Sequence, residues 1–320
     1  MTQHRIVAIV GATGAQGGGL ARTILANPGA GFAVRAITRN PTSPAARQLA
    51  ESGAEVVTGD VGDLATLTEA LRGAWGAFFV TNFWAHCCPT TEKSDARNMA
   101  AAARAADLRH VIWSTLEDTR ALVPLHDCRM PTLLGHYKVP HFDGKGESDA
   151  YFRELGVPTT FLRTSFYWEN LITAGLGPRL GPDGNLVMTL PMGTSALPGI
   201  AAEDIGRCVF GIFAGGESFL GQTIGIVGEH LTGADMAVRI GRALGHTTTY
   251  RAIEPDAYRA LGFPGAVEMG SMFQYTRDFE AEYCGARSVE RSRALNPQLQ
   301  TFESWLAVNA RRIPISVVTY

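Results

Sequence analysis

Three features that define whole classes of protein are scarce in this sequence: net charge, paired cysteines and long apolar runs. Its 320 residues carry 28 Lys and Arg against 30 Asp and Glu, and a net charge of -2 excludes the basic surface that direct binding to nucleic acid or anionic lipid requires. Five scattered cysteines form neither a C-x-x-C pair nor a disulfide framework, which is typical of reduced thiols in the cytoplasm. Neither a signal peptide nor an apolar run of bilayer length is present, so we expect a cytoplasmic protein with no membrane partner.

Two short clusters of potential metal ligands also lack the spacing of a metal site. Residues 86–88 read His-Cys-Cys, and residues 126–128 read His-Asp-Cys. A structural zinc site takes its ligands from paired residues at two places in the chain, and neither cluster has such a counterpart. We therefore predict loop residues at both places and no bound metal. A hydrophobic content of 46% indicates instead a large buried core.

The most informative feature that is present is a glycine-rich turn near the start of the sequence. An apolar run at residues 5–10 leads into Gly11, Gly14 and Gly17, and an amphipathic segment follows at residues 20–25. A strand, a turn without Cβ atoms and the start of a helix together hold a nucleotide pyrophosphate against backbone N–H groups. The turn therefore predicts binding of NAD or NADP, with these three glycines at the pyrophosphate.

The residues after the next predicted strand favour one of the two dinucleotides. That strand covers residues 33–38 and is followed by Arg39 and Asn40, where a site that prefers NAD usually offers an acid to the ribose hydroxyls. A guanidinium binds a phosphate, whereas a carboxylate repels it. We therefore expect NADP, with NAD weaker. The alternative is that Arg39 is a solvated loop residue.

Farther along the chain, strand-like runs alternate with helical patterns, which is typical of right-handed βαβ units. The sequence therefore predicts an α/β protein with a Rossmann fold, a doubly wound parallel sheet. Ligands bind outside the carboxyl ends of such strands, so we place Asp60 and Val61 beside the adenine and Thr81, Asn82 and Phe83 near the nicotinamide. The predicted elements are strands at 55–58, 77–80 and 110–114, a helix capped by Asp63 and ended by Gly73, and a helix at 95–106.

The regular pattern weakens after Gly156, where loops rich in glycine and proline become frequent. We predict that residues 1–156 form the NAD(P)-binding Rossmann domain, with its sheet completed by later strands. Residues 157–320 are predicted to form mainly a smaller C-terminal lobe that supplies the wall of the cleft.

Several segments identify a family. The glycine-rich turn, Thr38-Arg-Asn-Pro41, Thr81-Asn-Phe-Trp84, Pro140-His-Phe-Asp-Gly-Lys-Gly-Glu147 and Tyr167-Trp-Glu-Asn170 resemble the NmrA-like family of atypical short-chain dehydrogenases. The resemblance extends from about Arg5 to Trp305. It implies an NADP-binding Rossmann domain with a smaller C-terminal α/β domain. One departure is that Pro41-Thr42-Ser43 stands where family members place a second basic residue.

The resemblance also implies a set of cofactor contacts. They fall at Gly11, Thr13, Gly14, Ala15, Gln16, Arg39, Asp60, Val61, Thr81, Lys145, Tyr167, Trp168, Glu169 and Asn170, with Lys93 as the match to a further family lysine.

The residues that would carry catalysis differ from those of active short-chain dehydrogenases. Those enzymes use a Tyr as the proton donor, a Lys four residues later and a Ser after the fifth strand. Here Ser114 and Lys145 are present, but His141 stands in the place of the Tyr. His141 and Lys145 share a helix face, so the imidazole is a candidate acid near neutral pH. The alternative is that His141 packs or bonds locally while Lys145 binds ribose.

Two functions remain open. The first, suggested by the family resemblance, is a redox sensor or regulator whose NADP(H) occupancy changes its conformation, its self-association as a homodimer or its grip on a protein partner; residues 119–140 are a loop that cofactor binding would order. The second is an NADPH-dependent reductase of a small carbonyl, quinone or enal that uses Lys145 with His141 or Ser114. A small apolar substrate would then lie among aromatic residues that otherwise belong to the core: Phe83, Trp84, Phe166, Tyr167 and Trp168.

Overall fold

The computed structural model describes residues 4–317, so the outermost residues of both predicted domains lie outside it. Its first half alternates strands and helices without exception up to the sixth strand. In chain order the elements are β1 (Arg5–Val10), α1 (Ala15–Ala26), β2 (Phe32–Thr38), α2 (Pro44–Glu51), β3 (Glu55–Thr58), α3 (Leu64–Leu71), β4 (Gly76–Phe79), α4 (Pro89–Ala105), β5 (His110–Thr115), α5 (Pro140–Glu154) and β6 (Thr159–Arg163).

The second half is less regular and has shorter elements. They are β7 (Phe166–Tyr167), α6 (Asn170–Thr173), β8 (Arg179–Leu180), β9 (Leu186–Leu190), β10 (Ala196–Ile200), α7 (Ala202–Gly215), β11 (Thr223–Gly225), β12 (Glu229–Thr232), α8 (Gly233–Leu244), β13 (Thr248–Ala252), α9 (Pro255–Arg259), α10 (Ala266–Asp278), α11 (Glu280–Gly285), α12 (Val289–Leu295), α13 (Phe302–Asn309) and β14 (Ser316–Val317).

The main sheet has seven strands in the order β11-β6-β5-β4-β1-β2-β3, and all its neighbours are parallel. One face is covered by α1, α2 and α7, and the other by α3, α4 and α5. Apolar side chains of every second strand residue point to each helix layer, as a doubly covered parallel sheet requires. The strand order reverses between β1 and β4, and this is where a crevice for a ligand opens at the carboxyl ends. The predicted doubly wound Rossmann fold is confirmed.

A second lobe contains two small sheets, β12-β10-β7 and β13-β9-β8-β14. Its own apolar core includes Trp168, Phe273, Phe302 and Trp305. The lobe therefore folds around a centre of its own. Three elements that follow residue 156 nevertheless belong to the first lobe: β6 and β11 extend the main sheet, and α7 covers one of its faces. The domain boundary at residue 156 stays a prediction.

Most of the predicted elements agree with the structure to within one or two residues, and one helix does not. Asp63 caps α3 by accepting from the N–H groups of Ala65 and Thr66, and Gly73 ends this region at φ +73°. The helix predicted at 95–106 begins six residues earlier, at Pro89. Pro89 occupies the first helical position, where its missing N–H costs nothing.

None of the helices in the described part of the chain is long and apolar enough to cross a membrane.

Candidate nucleotide site

The glycine turn has the geometry that a pyrophosphate cradle needs. Gly11 adopts φ +72°, a conformation that favours glycine, and its carbonyl accepts from the Gly14 N–H at 2.8 Å. A Cβ on Gly17 would lie 2.5 Å from the Gly11 oxygen, so a side chain there would push α1 away from β1. There is thus no room for a side chain at Gly17 between this strand and this helix.

The open end of α1 is free to bind an anion. Thr13, Gly14 and Ala15 are exposed, and Gly14 at the N-cap has no side chain to bond the first helical N–H groups. The first turn contains no acid, so the positive end of the helix dipole stays uncompensated. These residues fit a diphosphate.

At the predicted adenosine end, Arg39 and Asn40 differ in how their side chains are bonded to the rest of the protein. Arg39 is exposed and forms no ion pair within residues 4–317. The Asn40 side chain is used by the protein, because its Oδ1 accepts from the N–H of Thr42 at 3.1 Å and from its hydroxyl at 2.8 Å. Arg39 thus remains a candidate for a phosphate. The Asn40 amide oxygen forms a turn, and the cofactor contact expected of this residue stays a prediction.

The strand end beside it is shaped by two further hydrogen bonds. Asp60 Oδ1 accepts from the Gly62 N–H at 2.9 Å, and the Val61 carbonyl accepts from the Asn98 side chain at 2.9 Å. Both contacts fix the backbone after β3, where the sequence places the adenine.

The predicted nicotinamide end contains a buried ion pair that the sequence did not reveal. Lys145 Nζ lies 2.8 Å from Glu92 Oε1 and donates to the hydroxyl of Thr81, which in turn donates to Glu92. Glu92 is fully buried and Lys145 is 8% exposed. The three groups form one closed network across β4, α4 and α5. The predicted start of the helix at residue 95 left Glu92 outside any element, so no sequence signal marked it.

His86 extends this network. Its Nε2 lies 3.5 Å from Glu92 Oε2, and its Nδ1 accepts from the Cys88 N–H at 3.0 Å. Since Nδ1 is the acceptor, the neutral ring carries its proton on Nε2, which faces the carboxylate.

Gln16 links the glycine turn to two other predicted site residues. Its Oε1 accepts from the Ser114 hydroxyl at 2.8 Å, and its Nε2 donates to the phenol oxygen of Tyr167. Burial raises the pKa of Tyr167 above its ordinary value. Gln16 thus accepts the Ser114 proton in this structure, and the catalytic role expected of Ser114 stays a prediction.

The segment that begins at β7 contacts both lobes. Trp168 is 1% exposed and packs against Phe302 and Trp305 in the second lobe. Glu169 accepts from the Ala202 N–H and from the Trp305 indole, both at 2.9 Å. These two side chains bind the core of the second lobe, and the cofactor contacts implied for Trp168 and Glu169 stay predictions. Asn170 begins α6 and is partly exposed.

Lys93 is also engaged by the protein. Its ammonium lies 2.8 Å from Glu147 and 5.8 Å from the centre of the Tyr137 ring, and the hydrogen bond to Glu147 raises the pKa of the lysine. The Lys93 ammonium thus forms an ion pair between α4 and α5, and the cofactor contact implied for it stays a prediction.

His141 is held by a residue of the second lobe. Its backbone N–H donates to Glu268 Oε1 at 2.7 Å, and its Nδ1 bonds to the same oxygen. The ring packs against Phe83 and the exposed Trp84, with ring centres 5.7 Å and 5.2 Å away. Glu268 was missed because 127 residues separate it from His141 and no local pattern marks it.

Residues 119–140 are packed by contacts within the protein. Asp143 is fully buried and accepts from the N–H groups of Thr119, Lys138 and Val139. The Lys138 ammonium donates to the Asp127 and Met130 carbonyls, at 2.7 Å and 2.9 Å. Contacts within the chain thus hold this segment, and the hypothesis that cofactor binding orders it stays a prediction.

Two other features of the described chain lie apart from this site. Within residues 4–317 no group of three or more His, Cys, Asp or Glu side chains is arranged to hold a metal. A shallow groove of about 490 Å³, bounded by Arg5, Phe32 and Phe210 among others, opens at the amino ends of β1 and β2. That edge is opposite to the one where a parallel sheet binds ligands.

Comparisons with known proteins agree with this architecture. The family model described as the NmrA-like family matches residues 3–306. A curated relative, the NmrA-like family domain-containing oxidoreductase FrzB of Cladobotryum sp, is 29% identical over 314 residues, which cover 90% of this chain and 89% of the relative.

Two solved structures share the fold. One is NmrA, a negative transcriptional regulator, in complex with NADP, with a TM-score of 0.78, 24% identity and coverage of 96% of this chain and 95% of that one. The other is the Citrobacter sp. triphenylmethane reductase complexed with NADP(H), with a TM-score of 0.74, 20% identity and coverage of 95% and 99%.

Proposed function

The chain belongs to the NmrA-like family, and on that premise we propose that it binds NADP(H) and acts as a redox regulator whose cofactor occupancy changes its conformation or its grip on a protein partner or a second copy. The observation that carries the first half is the open end of α1, where Thr13, Gly14 and Ala15 are exposed and no side chain caps the first N–H groups. Arg39, at the end of β2, is exposed and has no ion-pair partner within residues 4–317. Bound NADPH would supply a hydride, and the protein would supply orientation and charge.

The residues present fit that cofactor at each end. The glycine turn suits the pyrophosphate, and the Arg39 guanidinium suits a 2′-phosphate. Thr81 and Lys145 suit the ribose near the nicotinamide, where Lys145 already lies on the Thr81 hydroxyl. Structural neighbours with this fold have been solved with NADP and with NADP(H), which supports the same choice.

The regulatory half of the proposal rests on one short segment. Tyr167 bonds Gln16 beside the glycine turn, and the next two residues anchor the core of the second lobe. A nucleotide that displaces or strengthens the bond between Gln16 and Tyr167 would act directly on that anchor. A ligand shifts a conformational equilibrium only through such a difference in contacts.

The proposed partner and location rest on a structural neighbour and on the composition of the chain. NmrA, a structural neighbour, is described as a negative transcriptional regulator, and a net charge of -2 favours action through another protein over direct binding to DNA. The five free cysteines suit a reducing compartment, and we place the protein in the cytoplasm.

Titration calorimetry tests the choice of cofactor. We expect wild type to bind NADPH more tightly than NADH, and Arg39→Glu to lose about 1.5 to 3 kcal/mol with NADPH, roughly one to two decades in affinity, with little change for NADH. Arg104→Glu, an exposed arginine in the last turn of α4, is the matched control. Equal losses for both nucleotides would contradict a contact to the 2′-phosphate.

Hydrogen exchange tests the regulatory half. We expect NADPH to change the exchange of residues 166–173 and of the second-lobe core to a different extent than NADP⁺ does, and Gln16→Ala to abolish this difference. Identical exchange with both nucleotides, despite saturated binding, would count against a redox regulator.

A second candidate function is an NADPH-dependent reductase of a small carbonyl, quinone or enal. It is favoured by the bond between His141 and Glu268 and by the name oxidoreductase that FrzB carries. Steady consumption of NADPH with such a substrate, lost in Lys145→Ala, would decide for this function.

A further inference from the structure

A regulatory function does not explain the contact between His141 and Glu268, in which one carboxylate oxygen accepts two hydrogen bonds from the same residue. Glu268 lies in the first turn of α10, and one of its oxygens receives both the N–H and the Nδ1 of His141 at the start of α5. The side chains are 8% and 12% exposed. The imidazole of His141 thus joins α5 of the first lobe to α10 of the second lobe.

The arrangement determines which nitrogen of the ring remains available. A carboxylate on Nδ1 fixes the tautomer and the orientation of an imidazole, and leaves Nε2 as the reactive nitrogen. An N-terminal cap of α5 would need only the backbone contact. The second bond, to the ring, is the part that a purely structural role leaves unexplained.

The surroundings of the ring belong to the predicted nicotinamide end of the site. Phe83 and Trp84, which pack on His141, follow Thr81 on the turn after β4, and Thr81 contacts Lys145 one helical turn beyond His141. Trp84 is 47% exposed and its ring is the nearest neighbour of Gly265 at the start of α10. Hence the imidazole lies against an aromatic wall whose exposed part is Trp84, the surface that a flat ligand would meet.

Other titratable groups near the ring come from each element packed around it. Lys145 lies on its own helix, His86 packs on Phe83 from the turn after β4, and Glu268 is supplied by α10. The Lys145 charge is already met by Glu92, which leaves Glu268 as the direct partner of His141.

We propose that His141 is the proton donor of a carbonyl reductase and that Glu268 is its positioning residue, for flat apolar aldehydes or enals. This inference rests on the second candidate function. A hydride from NADPH would bond to the carbonyl carbon, and the π electrons of the C=O bond would move to oxygen. The imidazolium form of His141, with a proton on each nitrogen, would donate its Nε2 proton to that oxygen to form the alcohol, and would remain as the neutral ring with its Nδ1–H on Glu268. A proton from solvent then restores the imidazolium, and NADP⁺ leaves.

The test measures NADPH oxidation with benzaldehyde and with cinnamaldehyde, and NADPH affinity by calorimetry. We expect wild type to turn over at least one of them. His141→Gln, whose amide can still bond to Glu268 but cannot serve as an acid, should lose a hundredfold or more in kcat, on the order of general acid catalysis, with NADPH affinity unchanged. Glu268→Gln should lose about tenfold or more in kcat and shift the pH profile, and Glu268→Asp should restore part of both.

A matched control and a spectroscopic signature separate this role from a structural one. Glu280→Gln alters another carboxylate that accepts from a backbone N–H, that of Ala196, in the same lobe, and should leave kcat unchanged. In proton NMR, the downfield Nδ1–H signal that wild type shows and His141→Gln lacks should move upfield in Glu268→Gln, because a neutral amide oxygen is a weaker acceptor than a carboxylate.

Three outcomes would overturn the inference: wild type that binds NADPH but oxidises it with neither aldehyde, His141→Gln that keeps its kcat, or Glu268→Gln that changes stability alone. Failure of wild type to bind NADPH would refute the proposed function itself, so the two failures are distinguishable.

Discussion

Glu92 shows how much one buried carboxylate contributes to this site. It is fully buried, and its Oε1 receives both the Lys145 ammonium and the Thr81 hydroxyl. An ammonium has three donors, and those of Lys145 point to Glu92 and to the side chain and carbonyl of Thr81. Bound ribose would therefore have to share Lys145 with Thr81.

We expect Glu92→Gln to lower the free energy of unfolding by about 3 to 5 kcal/mol, because removal of one partner leaves a buried charge without compensation. Urea titration measures the loss. The double variant Glu92→Gln/Lys145→Met should recover part of it, since neither charge then remains. A single variant as stable as wild type would show that Lys145 is neutral or solvated.

Asp149 makes stability depend on pH with the opposite sign to most carboxylates. Burial raises its pKa from 3.8 to about 6, against the bond from the Trp113 indole and the neighbouring Arg153. The folded state then holds a proton that the unfolded state has lost, so the stability contributed by Asp149 is complete below pH 3.8 and is lost as pH rises through 6.

We therefore expect Asp149→Asn to gain stability relative to wild type as pH rises from 4 to above 6, by up to about 3 kcal/mol. Thermal unfolding across this range measures the gain. Asp107→Asn, which changes an exposed carboxylate, is the control. Parallel curves for wild type and Asp149→Asn would refute the buried proton.

These residues also show which parts of the site a sequence can reveal. The glycines and Arg39 stand at fixed distances from a strand, so local spacing predicts them. Glu92 and Glu268 acquire their roles only when α4 and α10 approach α5. Such pairings depend on tertiary packing, which has no periodic signature in the sequence.

At the level of elements, α1 is the part of the fold that most constrains the site. Gly17 faces the Gly11 oxygen, and a Cβ there would meet it at 2.5 Å. We expect Gly17→Ala to move α1 outward, with a loss of about 1 to 3 kcal/mol in stability and much weaker NADPH binding. Gly29→Ala, where a Cβ would meet nothing within 4 Å, is the matched control. Unchanged calorimetry for Gly17→Ala would contradict the cradle.

Elements with a clear local signal in the sequence were predicted accurately, and elements without one were not. Strand β3 matched its prediction residue for residue, and α3 was found through its cap at Asp63. The start of α4 was wrong because its N-cap is Cys88, a residue that makes no side-chain capping bond. The short strands of the second lobe, such as β8 with two residues, give too little alternation to be predicted.

At the level of the whole molecule, one buried ion pair joins the end of the first sheet to the second lobe. Arg287 forms two bonds to Glu117, at 2.6 Å and 3.0 Å, and a third to the Thr164 carbonyl. Arg287 is 1% exposed, and the nearby guanidinium holds the pKa of Glu117 below its ordinary value despite burial. Like the bond between His141 and Glu268, this pair joins distant parts of the chain, so the junction between the lobes contains buried charges.

A variant that weakens this junction tests whether the two lobes unfold separately. Glu117→Gln leaves the Arg287 charge buried without a counter-ion and should cost about 3 to 5 kcal/mol. Since the second lobe has its own core, we expect hydrogen exchange to rise first in peptides that contain Trp168 and Trp305, while peptides of β1 and β4 keep their protection. Glu203→Gln, which removes an exposed ion pair with Arg22, should change neither region. A uniform rise in both lobes would mean that the molecule unfolds as one unit, and a regulator that works by moving one lobe against the other would then lose its physical basis.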